Sequence, residues 1–302
     1  MKSSNLLKPY LALFIGALSV STSAILVKAA HAPASIIAFY RLFFTVLFMT
    51  PFFVKVKYIQ ELQMISKRDW VFSILSGALL AFHFIFWFES LNFTSVASSV
   101  VLVTLQPLFA FIGGYVFLKE KLTVGAVLSA LLAIVGCVII SWGDFQVSGK
   151  ALFGDALALF ACVMVTGYWL LGQALRKRLS LMTYTYIVYG ISTLTLLLYV
   201  LVLRFPLFSY RKIDWICFLL LAIVPTLLGH SLMNWSVKWV SAATVSMSIL
   251  FEPVGAVILA YLLLGEVVQP SQLIGGIFIL TGIGTYLWGE NRKGALPVQE
   301  SS

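Results

Sequence analysis

The sequence has few charged residues, few cysteines and few histidines. Only 10% of its 302 residues are charged, whereas a soluble domain carries about 25%. The three cysteines, Cys137, Cys162 and Cys217, lie inside apolar runs and lack metal-ligand spacing, so we expect neither a disulfide nor a metal site. These absences exclude a soluble enzyme, a disulfide-rich secreted domain and a zinc module.

Long apolar runs dominate the rest of the chain. Hydrophobic residues make up 61% of it, and the mean hydropathy is +1.02. Because a helix needs about 20 apolar residues to cross a bilayer, the sequence predicts an all-α integral membrane protein with ten spans. We number them 1 to 10 in chain order: 9–29, 34–54, 70–91, 95–118, 122–142, 152–174, 181–203, 213–235, 242–264 and 270–289. The longest connection, 55–69, leaves no room for a separate soluble domain.

The basic residues predict the orientation of these spans. With the N-terminus inside, fourteen of the 20 Lys and Arg residues fall on the inner side and five on the outer side, and Arg41 lies within span 2. Because positively charged loops stay in the cytoplasm, both termini are expected there, in an inner or plasma membrane. The net charge of +9 is explained by this topology, and no nucleic-acid partner is expected.

An internal repeat divides the chain into two halves. Gln106-Pro107 in span 4 matches Glu252-Pro253 in span 9 at an offset of 146 residues, and the same offset pairs Glu120 with Glu266. Since this offset contains five spans, the second copy enters the membrane from the opposite side. We predict inverted repeats at 1–146 and 147–290, followed by a disordered cytoplasmic tail at 291–302. Inverted repeats are typical of secondary transporters.

Short motifs accompany this repeat in a fixed order. They are Ala38-Phe39-Tyr40-Arg41 in span 2, Leu118-Lys119-Glu120 after span 4 and Leu264-Gly265-Glu266 after span 9. From about residue 10 to 289, the chain resembles the drug/metabolite transporter superfamily, specifically its EamA family. The resemblance implies a ten-helix carrier that exports amino acids or other small metabolites.

Polar side chains inside the spans are the candidates for a binding site, because burying them in lipid is costly unless they serve a pathway or a helix contact. Several recur at helical spacing on one face of a span. We expect the substrate-binding residues to be His83 and Trp87 in span 3, Gln106 in span 4, Trp169 in span 6, His230 and Asn234 in span 8, and Ser248 and Glu252 in span 9. The alternative is that these groups only hydrogen-bond between packed helices.

Four residues are candidates for coupling or gating. Glu252 lies about ten residues from either end of its span, where it could be protonated, bind a substrate ammonium or couple transport to protons. A structural carboxyl group remains its alternative role. Arg41 suits a structural or gating ion pair, or the binding of a substrate carboxylate. Pro107 and Pro253 each free a backbone carbonyl, which predicts kinks that could act as hinges.

No nucleotide-binding loop occurs, so gradient-driven or facilitated transport without a cofactor is expected. The partners are then a small-molecule substrate, the lipid bilayer and protons, with a monomer or a weak homodimer as the working form. A channel and a flippase-like lipid carrier share the polar lining and are the alternatives. An intramembrane enzyme is disfavoured because the protease motifs are missing.

Overall fold

The computed structural model of the protein describes residues 7–94, 96–141, 149–259, 261–262 and 268–295. Within these residues, all regular secondary structure is helical. The predicted all-α membrane class is thereby confirmed. Nine helical stretches of the described chain are long and apolar enough to cross a membrane, and a shorter tenth, Val124–Ile140, corresponds to predicted span 5.

The first half of the chain contains spans 1 to 5 in eight helices. Spans 1 and 4 are each divided into two helices, and one short helix lies between spans 2 and 3. The helices are α1 (Leu7–Val20), α2 (Ser23–Ala29), α3 (Ala34–Phe53), α4 (Val56–Gln63), α5 (Lys67–Phe93), α6 (Val96–Val103), α7 (Gln106–Leu118) and α8 (Val124–Ser141).

The second half contains spans 6 to 10. Span 8 is divided into three consecutive helical segments and span 9 into two. The elements are α9 (Gly149–Leu175), α10 (Leu181–Val202), α11 (Lys212–Leu221), a π-helix (Ala222–His230), α12 (Ser231–Ser236), α13 (Ala242–Ile249), α14 (Glu252–Leu259) and α15 (Pro270–Ala295).

Spans 4 and 9 are interrupted at equivalent positions. α6 ends at Val103 and α7 begins at Gln106, whereas α13 ends at Ile249 and α14 begins at Glu252. In both spans the second residue of the new helix is proline, which has no N–H to continue the preceding helix and is well suited to a first turn. The kinks predicted at these prolines are therefore complete breaks, separated by the 146 residues of the repeat.

Span 8 also contains a proline within its helical stretch, Pro225. Here the chain forms a π-helix instead of a break. The Thr226 hydroxyl donates to the Leu221 carbonyl at 2.8 Å, five residues earlier, and so compensates for part of the disrupted backbone ladder. π-Helical segments are rare in proteins, and those that do occur often lie at functional sites.

Two pairs of spans pack closely and enclose the centre of the protein. α5 of span 3 lies along α9 of span 6, and α1 of span 1 lies along the π-helix and α12 of span 8. α8 and α15 pack against each other beside this core. A Cβ at Gly136 would lie only 2.5 Å from the Gly275 carbonyl oxygen, so glycine permits this backbone contact. Spans 5 and 10 are thus closely packed.

Three details of the sequence prediction differ from the structure or fall outside it. The connection 55–69 contains α4, a helix with no buried residue, which a search for buried apolar runs cannot detect. α15 continues to Ala295, beyond the predicted boundary at 290, because its polar end prolongs the helix past the apolar run. The Leu264-Gly265-Glu266 motif and residues 296–302 of the predicted tail lie outside the described residues.

Candidate functional site

A small closed cavity lies where the two interrupted spans meet the two packed pairs. Its volume is about 20 Å³. This is enough for about one water molecule and far below the roughly 300–1,000 Å³ of typical small-molecule sites. It is lined by Val20, His83, Trp87, Val103, Gln106, Val165, Trp169, His230, Met233, Ile249 and Glu252. The structure therefore has a closed centre.

Six of the eight predicted substrate-binding residues line this cavity. They come from five different spans and are brought together only by the fold: His83, Trp87, Gln106, Trp169, His230 and Glu252. The site role itself stays a prediction, but the expected convergence of spans 3, 4, 6, 8 and 9 is present in the structure.

The lining is built largely from equivalent residues of the two halves. Gln106 and Glu252 each begin the second helix of an interrupted span, and Val103 and Ile249 each end the first helix. His83 and His230 are also equivalent, although they are 147 residues apart instead of the 146 of the repeat. Equivalent positions of the two halves therefore meet at this cavity.

Unpaired polar atoms are concentrated around the cavity. Among the described residues, nine buried side-chain nitrogen or oxygen atoms have no hydrogen-bond partner, and five of them belong to lining residues. Each such atom costs roughly 1–3 kcal/mol. The five are the indole Nε1 atoms of Trp87 and Trp169, the Oε1 atoms of Gln106 and Glu252, and Nδ1 of His230. The cavity therefore offers two donors, two acceptors and one imidazole nitrogen to a ligand.

Each histidine of the cavity stacks on a tryptophan. The His83 ring stacks on Trp87 with centroids 5.7 Å apart, and the His230 ring stacks on Trp169 at 5.6 Å. His83 also donates from Nδ1 to the Ala161 carbonyl at 3.0 Å, whereas Nδ1 of His230 has no partner. The first-half histidine is therefore fixed by the protein, and the second-half histidine is available for other chemistry.

Gln106 and Glu252 differ in the same way. The Gln106 amide donates from Nε2 to the Val103 carbonyl at 3.1 Å and so satisfies the end of α6. Glu252 is only 4% exposed, and its Oε1 atom has no partner. The carboxyl oxygen and the imidazole nitrogen that lack a partner thus both belong to the second half.

Arg41 lies behind the cavity and does not line it. Its guanidinium stacks over the Phe84 ring at 4.3 Å and donates from Nε to Thr226 Oγ1 at 2.7 Å and from Nη1 to Ser23 Oγ at 3.3 Å. Phe84 in turn lies 5.9 Å from the His230 ring. Neither ion pair between described residues includes Arg41, so the ion pair expected in this region is absent from the described structure.

Two predicted site residues are placed elsewhere. Asn234 donates to the hydroxyls of Tyr168 and Tyr189 in a buried polar cluster behind the cavity. Ser248 donates to the Val245 carbonyl at 2.7 Å and lines a separate cavity of about 130 Å³ between α1, α13 and α15. Both residues were predicted from their helical spacing. Helical spacing shows which residues share one face of a helix, but it does not show which neighbouring helix that face contacts.

The apolar lining residues were absent from the sequence prediction. Val103 and Ile249 carry no polar signal, but the 146-residue offset pairs them next to the two prolines, and this pairing could have identified them. Val20, Val165 and Met233 have no comparable signal, because an apolar residue in an apolar span is indistinguishable from a lipid-facing one.

The family comparison agrees with the two-part organisation. The model of the EamA-like transporter family matches the chain twice, at residues 7–142 and 152–288. An uncharacterized transporter of Archaeoglobus fulgidus is 25% identical over 273 residues, which are 90% of this chain and 93% of that protein. The uncharacterized transporter YxxF of Bacillus subtilis is 26% identical over 74% of this chain and 71% of its own length.

Two further similarities concern a named substrate and a solved fold. The UDP-galactose/UDP-glucose transporter 7 of Arabidopsis thaliana is 28% identical over 67% of this chain and 64% of that protein. One crystal structure shares 18% sequence identity, with a TM-score of 0.75, over 97% of this chain and 99% of the other. The second similarity shows the fold alone.

Proposed function

Because this chain belongs to the EamA-like transporter family, we propose that it is a secondary carrier that exports small metabolites of the amino-acid class. It is a multi-pass membrane protein. We place it in the inner or plasma membrane with both termini in the cytoplasm, as the distribution of Lys and Arg favours. The cavity would be the central site of an alternating-access cycle, in which the substrate is reached from each face in turn.

The pairing of the helices supports inverted halves. Spans 3 and 6 pack together as α5 and α9, and their counterparts, spans 8 and 1, pack together as the π-helix and α12 against α1. Spans 4 and 9 are counterparts and are interrupted at the same point. Two halves of opposite orientation around one central site provide inward-open and outward-open states of similar energy.

The observation that carries the proposal is the ring of five unpaired polar atoms around a closed cavity. A structural core satisfies its polar groups, because each unpaired one is costly. A polar ligand that enters when the cavity opens would supply the missing partners and offset this cost. In a purely structural role, the five groups would depend on about the one water molecule that the cavity can hold.

The arrangement of donors and acceptors suits a zwitterion. Oε1 of Gln106 and Oε1 of Glu252 can accept from an ammonium group, while the indole N–H groups of Trp87 and Trp169 can donate to a carboxylate or carbonyl. The aromatic rings add cation–π attraction for the ammonium. A free amino acid or a closely related amine carries both groups within a few bonds.

A nucleotide sugar fits this cavity less well, although a similar plant protein is named as a transporter of UDP-galactose and UDP-glucose. A diphosphate needs Lys or Arg, and no Lys or Arg is among the described residues that line the cavity. The nearby Arg41 is covered by Phe84, and Glu252 would repel the phosphates.

We assign proton coupling to Glu252. A buried carboxyl group near Gln106 can hold either a proton or the ammonium of a substrate, but not both. Competition for this one group would make substrate export exchange for proton entry.

Counterflow in proteoliposomes tests the proposal. Vesicles preloaded with one unlabelled solute are given a trace of the same labelled solute, over a panel of amino acids, amines and UDP-sugars. We expect transient, saturable accumulation of an amino-acid-like solute, with a weaker apparent affinity in Glu252→Gln. Ser248→Ala, in the same span but away from the cavity, is the matched control and should behave as wild type.

The other outcomes separate the alternatives. Uptake that does not saturate and shows no counterflow would identify a channel. Counterflow of UDP-sugars alone would contradict the zwitterion assignment. A panel without exchange, combined with movement of a labelled phospholipid between leaflets, would identify a lipid carrier, and a chemically changed solute would identify an enzyme.

A further inference from the structure

Two cations join the ends of neighbouring helices through hydrogen bonds to backbone carbonyls. Lys28, in the last turn of α2, donates from Nζ to the Leu91 carbonyl of α5 at 3.0 Å. Arg176, which directly follows α9, donates from Nε to the Asn234 carbonyl of α12 at 2.9 Å. We call these contacts the Lys28 clasp and the Arg176 clasp.

The two clasps are counterparts in the two halves. Each joins the end of the first span of a half, span 1 or span 6, to the end of the third span of that half, span 3 or span 8. The accepting carbonyls belong to the last turn of a helix, where they lack an intrahelical partner and where the helix dipole attracts a cation. Because five crossings separate span 1 from span 6, the clasps lie at opposite faces of the membrane.

Each clasp crosses the gap that contains the cavity. Spans 3 and 6 form one packed pair, and spans 1 and 8 form the other. The Lys28 clasp runs from span 1 to span 3, and the Arg176 clasp runs from span 6 to span 8, so both connect one pair to the other. Val20, Trp87, Trp169 and Met233 line the cavity between these pairs.

Arg176 is held more firmly than a surface cation. It is only 3% exposed, and its Nη1 atom also donates to the Leu179 carbonyl at 2.5 Å. Lys28 is exposed apart from its contact with Leu91. With both clasps formed, the cavity holds only about 20 Å³, so the present structure is the closed state.

The geometry points to Lys28 and Arg176 as the two gate residues of transport: release of the Lys28 clasp opens the cavity to one face, and release of the Arg176 clasp opens it to the other. This inference rests on the proposed alternating access. Neither cation touches the cavity, so both act as positioning residues that set the balance between the closed state and the two open states.

Thiol labelling of a cavity position tests the inference without any substrate. Val103→Cys is introduced into a chain whose own cysteines are removed by Cys137→Ala, Cys162→Ala and Cys217→Ala. A membrane-impermeant quaternary-ammonium thiosulfonate is then added to right-side-out or inverted vesicles. A hydrogen bond to a charged group restrains opening substantially, so loss of one clasp should speed labelling by about tenfold or more.

We expect Lys28→Met to speed labelling from one face only and Arg176→Met to speed it from the opposite face only. The conservative variants Lys28→Arg and Arg176→Lys keep a donor and should stay close to the parent rate. Lys150→Met and Lys177→Met remove exposed cations at the two faces without touching a clasp, and they should leave both rates unchanged. If Lys28→Met fails to insert into the membrane, Lys28→Gln replaces it. The glutamine side chain is one atom shorter than lysine, so its amide nitrogen would not reach the Leu91 carbonyl that lysine contacts at 3.0 Å.

Equal acceleration from both faces, or no acceleration in either clasp variant, would overturn the inference. These failures are distinguishable from failure of the proposed function. Labelling that is accelerated from one face only, combined with no counterflow, would support the two gate residues and refute the substrate assignment. Counterflow combined with labelling that is equal from both faces would support the carrier function and refute the two gate residues.

Discussion

Gln106 and Glu252 face the same cavity from equivalent positions, each as the first residue of the second helix in an interrupted span. Each also has an Oε1 atom that is buried without a hydrogen-bond partner. They differ in one group, because the Gln106 amide is tied to the Val103 carbonyl whereas Glu252 carries an ionisable carboxyl group. The two halves therefore present equivalent positions to the cavity, and only the second half places a carboxyl group there.

The indole N–H groups should contribute to substrate affinity. Trp87→Phe and Trp169→Phe keep an aromatic ring beside His83 and His230 but remove the unpaired donors. Because a hydrogen bond to a charged group is worth about 1.5–3 kcal/mol, each change should raise the half-saturation concentration of counterflow by a factor of about ten to a hundred.

Concentration-dependent counterflow measures this effect. Trp239→Phe, at an exposed tryptophan that does not line the cavity, is the control and should leave the half-saturation concentration unchanged. Unchanged affinity in both cavity variants would show that the indole donors do not contact the substrate.

Asn234 should matter for stability more than for substrate affinity. Its side chain donates to Tyr168 and Tyr189, and both tyrosines are fully buried. Asn234→Ala would leave these hydroxyls without that donor and should destabilise the protein by about 1–3 kcal/mol. Thermal unfolding in detergent measures this loss of stability. If Asn234→Ala instead changed the half-saturation concentration of counterflow and left the stability unchanged, Asn234 would be a substrate-binding residue.

Two adjacent glycines in α15 should respond very differently to alanine. A Cβ at Gly275 would lie 2.5 Å from the Gly136 carbonyl oxygen, whereas a Cβ at Gly276 meets nothing within 4 Å. Overpacking against backbone typically costs about 1–3 kcal/mol, so Gly275→Ala should lower the melting temperature by several degrees.

Gly276→Ala is the matched control in the same helix turn and should leave the melting temperature nearly unchanged. Equal melting temperatures for the two variants would show that α8 and α15 do not pack as closely as the structure places them.

The connection between spans 2 and 3 should stabilise the protein in a pH-dependent way. Burial alone would raise the pKa of Glu61, but bonds from Ser180 and Thr183 and the charge of Lys57 outweigh it and lower that pKa below its ordinary value. A carboxyl group with a lowered pKa stabilises the folded state above its ordinary pKa of about 4.3, and this contribution disappears as the pH falls through the folded-state pKa.

Thermal unfolding of wild type and Glu61→Gln checks this prediction. The difference in melting temperature should be full at neutral pH and should shrink as the pH falls below about 4. Glu89→Gln, which removes only an exposed contact with Asn92, serves as the control. A difference that grows on acidification would contradict the assignment.

The sequence is sufficient for the architecture because membrane spans are determined by composition over long windows. It also identifies His83, Trp87 and Glu252 as cavity residues, since a polar group deep in an apolar span has few structural uses. It cannot place Asn234 or Ser248, because helical spacing does not specify the neighbouring helix. The Lys28 clasp is likewise invisible in sequence, since its acceptor is a backbone carbonyl that no residue type reveals.

The pH-gradient dependence of counterflow, compared between wild type and Glu252→Gln, tests the central claim most directly. In wild-type proteoliposomes a proton gradient should drive net movement of the exchanged solute against the direction of proton flow. Glu252→Gln should retain counterflow at higher substrate concentration but lose the response to the gradient, because its amide cannot carry a proton. A variant that responds to the gradient as wild type does, or a wild type that exchanges no solute of the panel, would contradict the claim that Glu252 is the coupling group of a metabolite carrier.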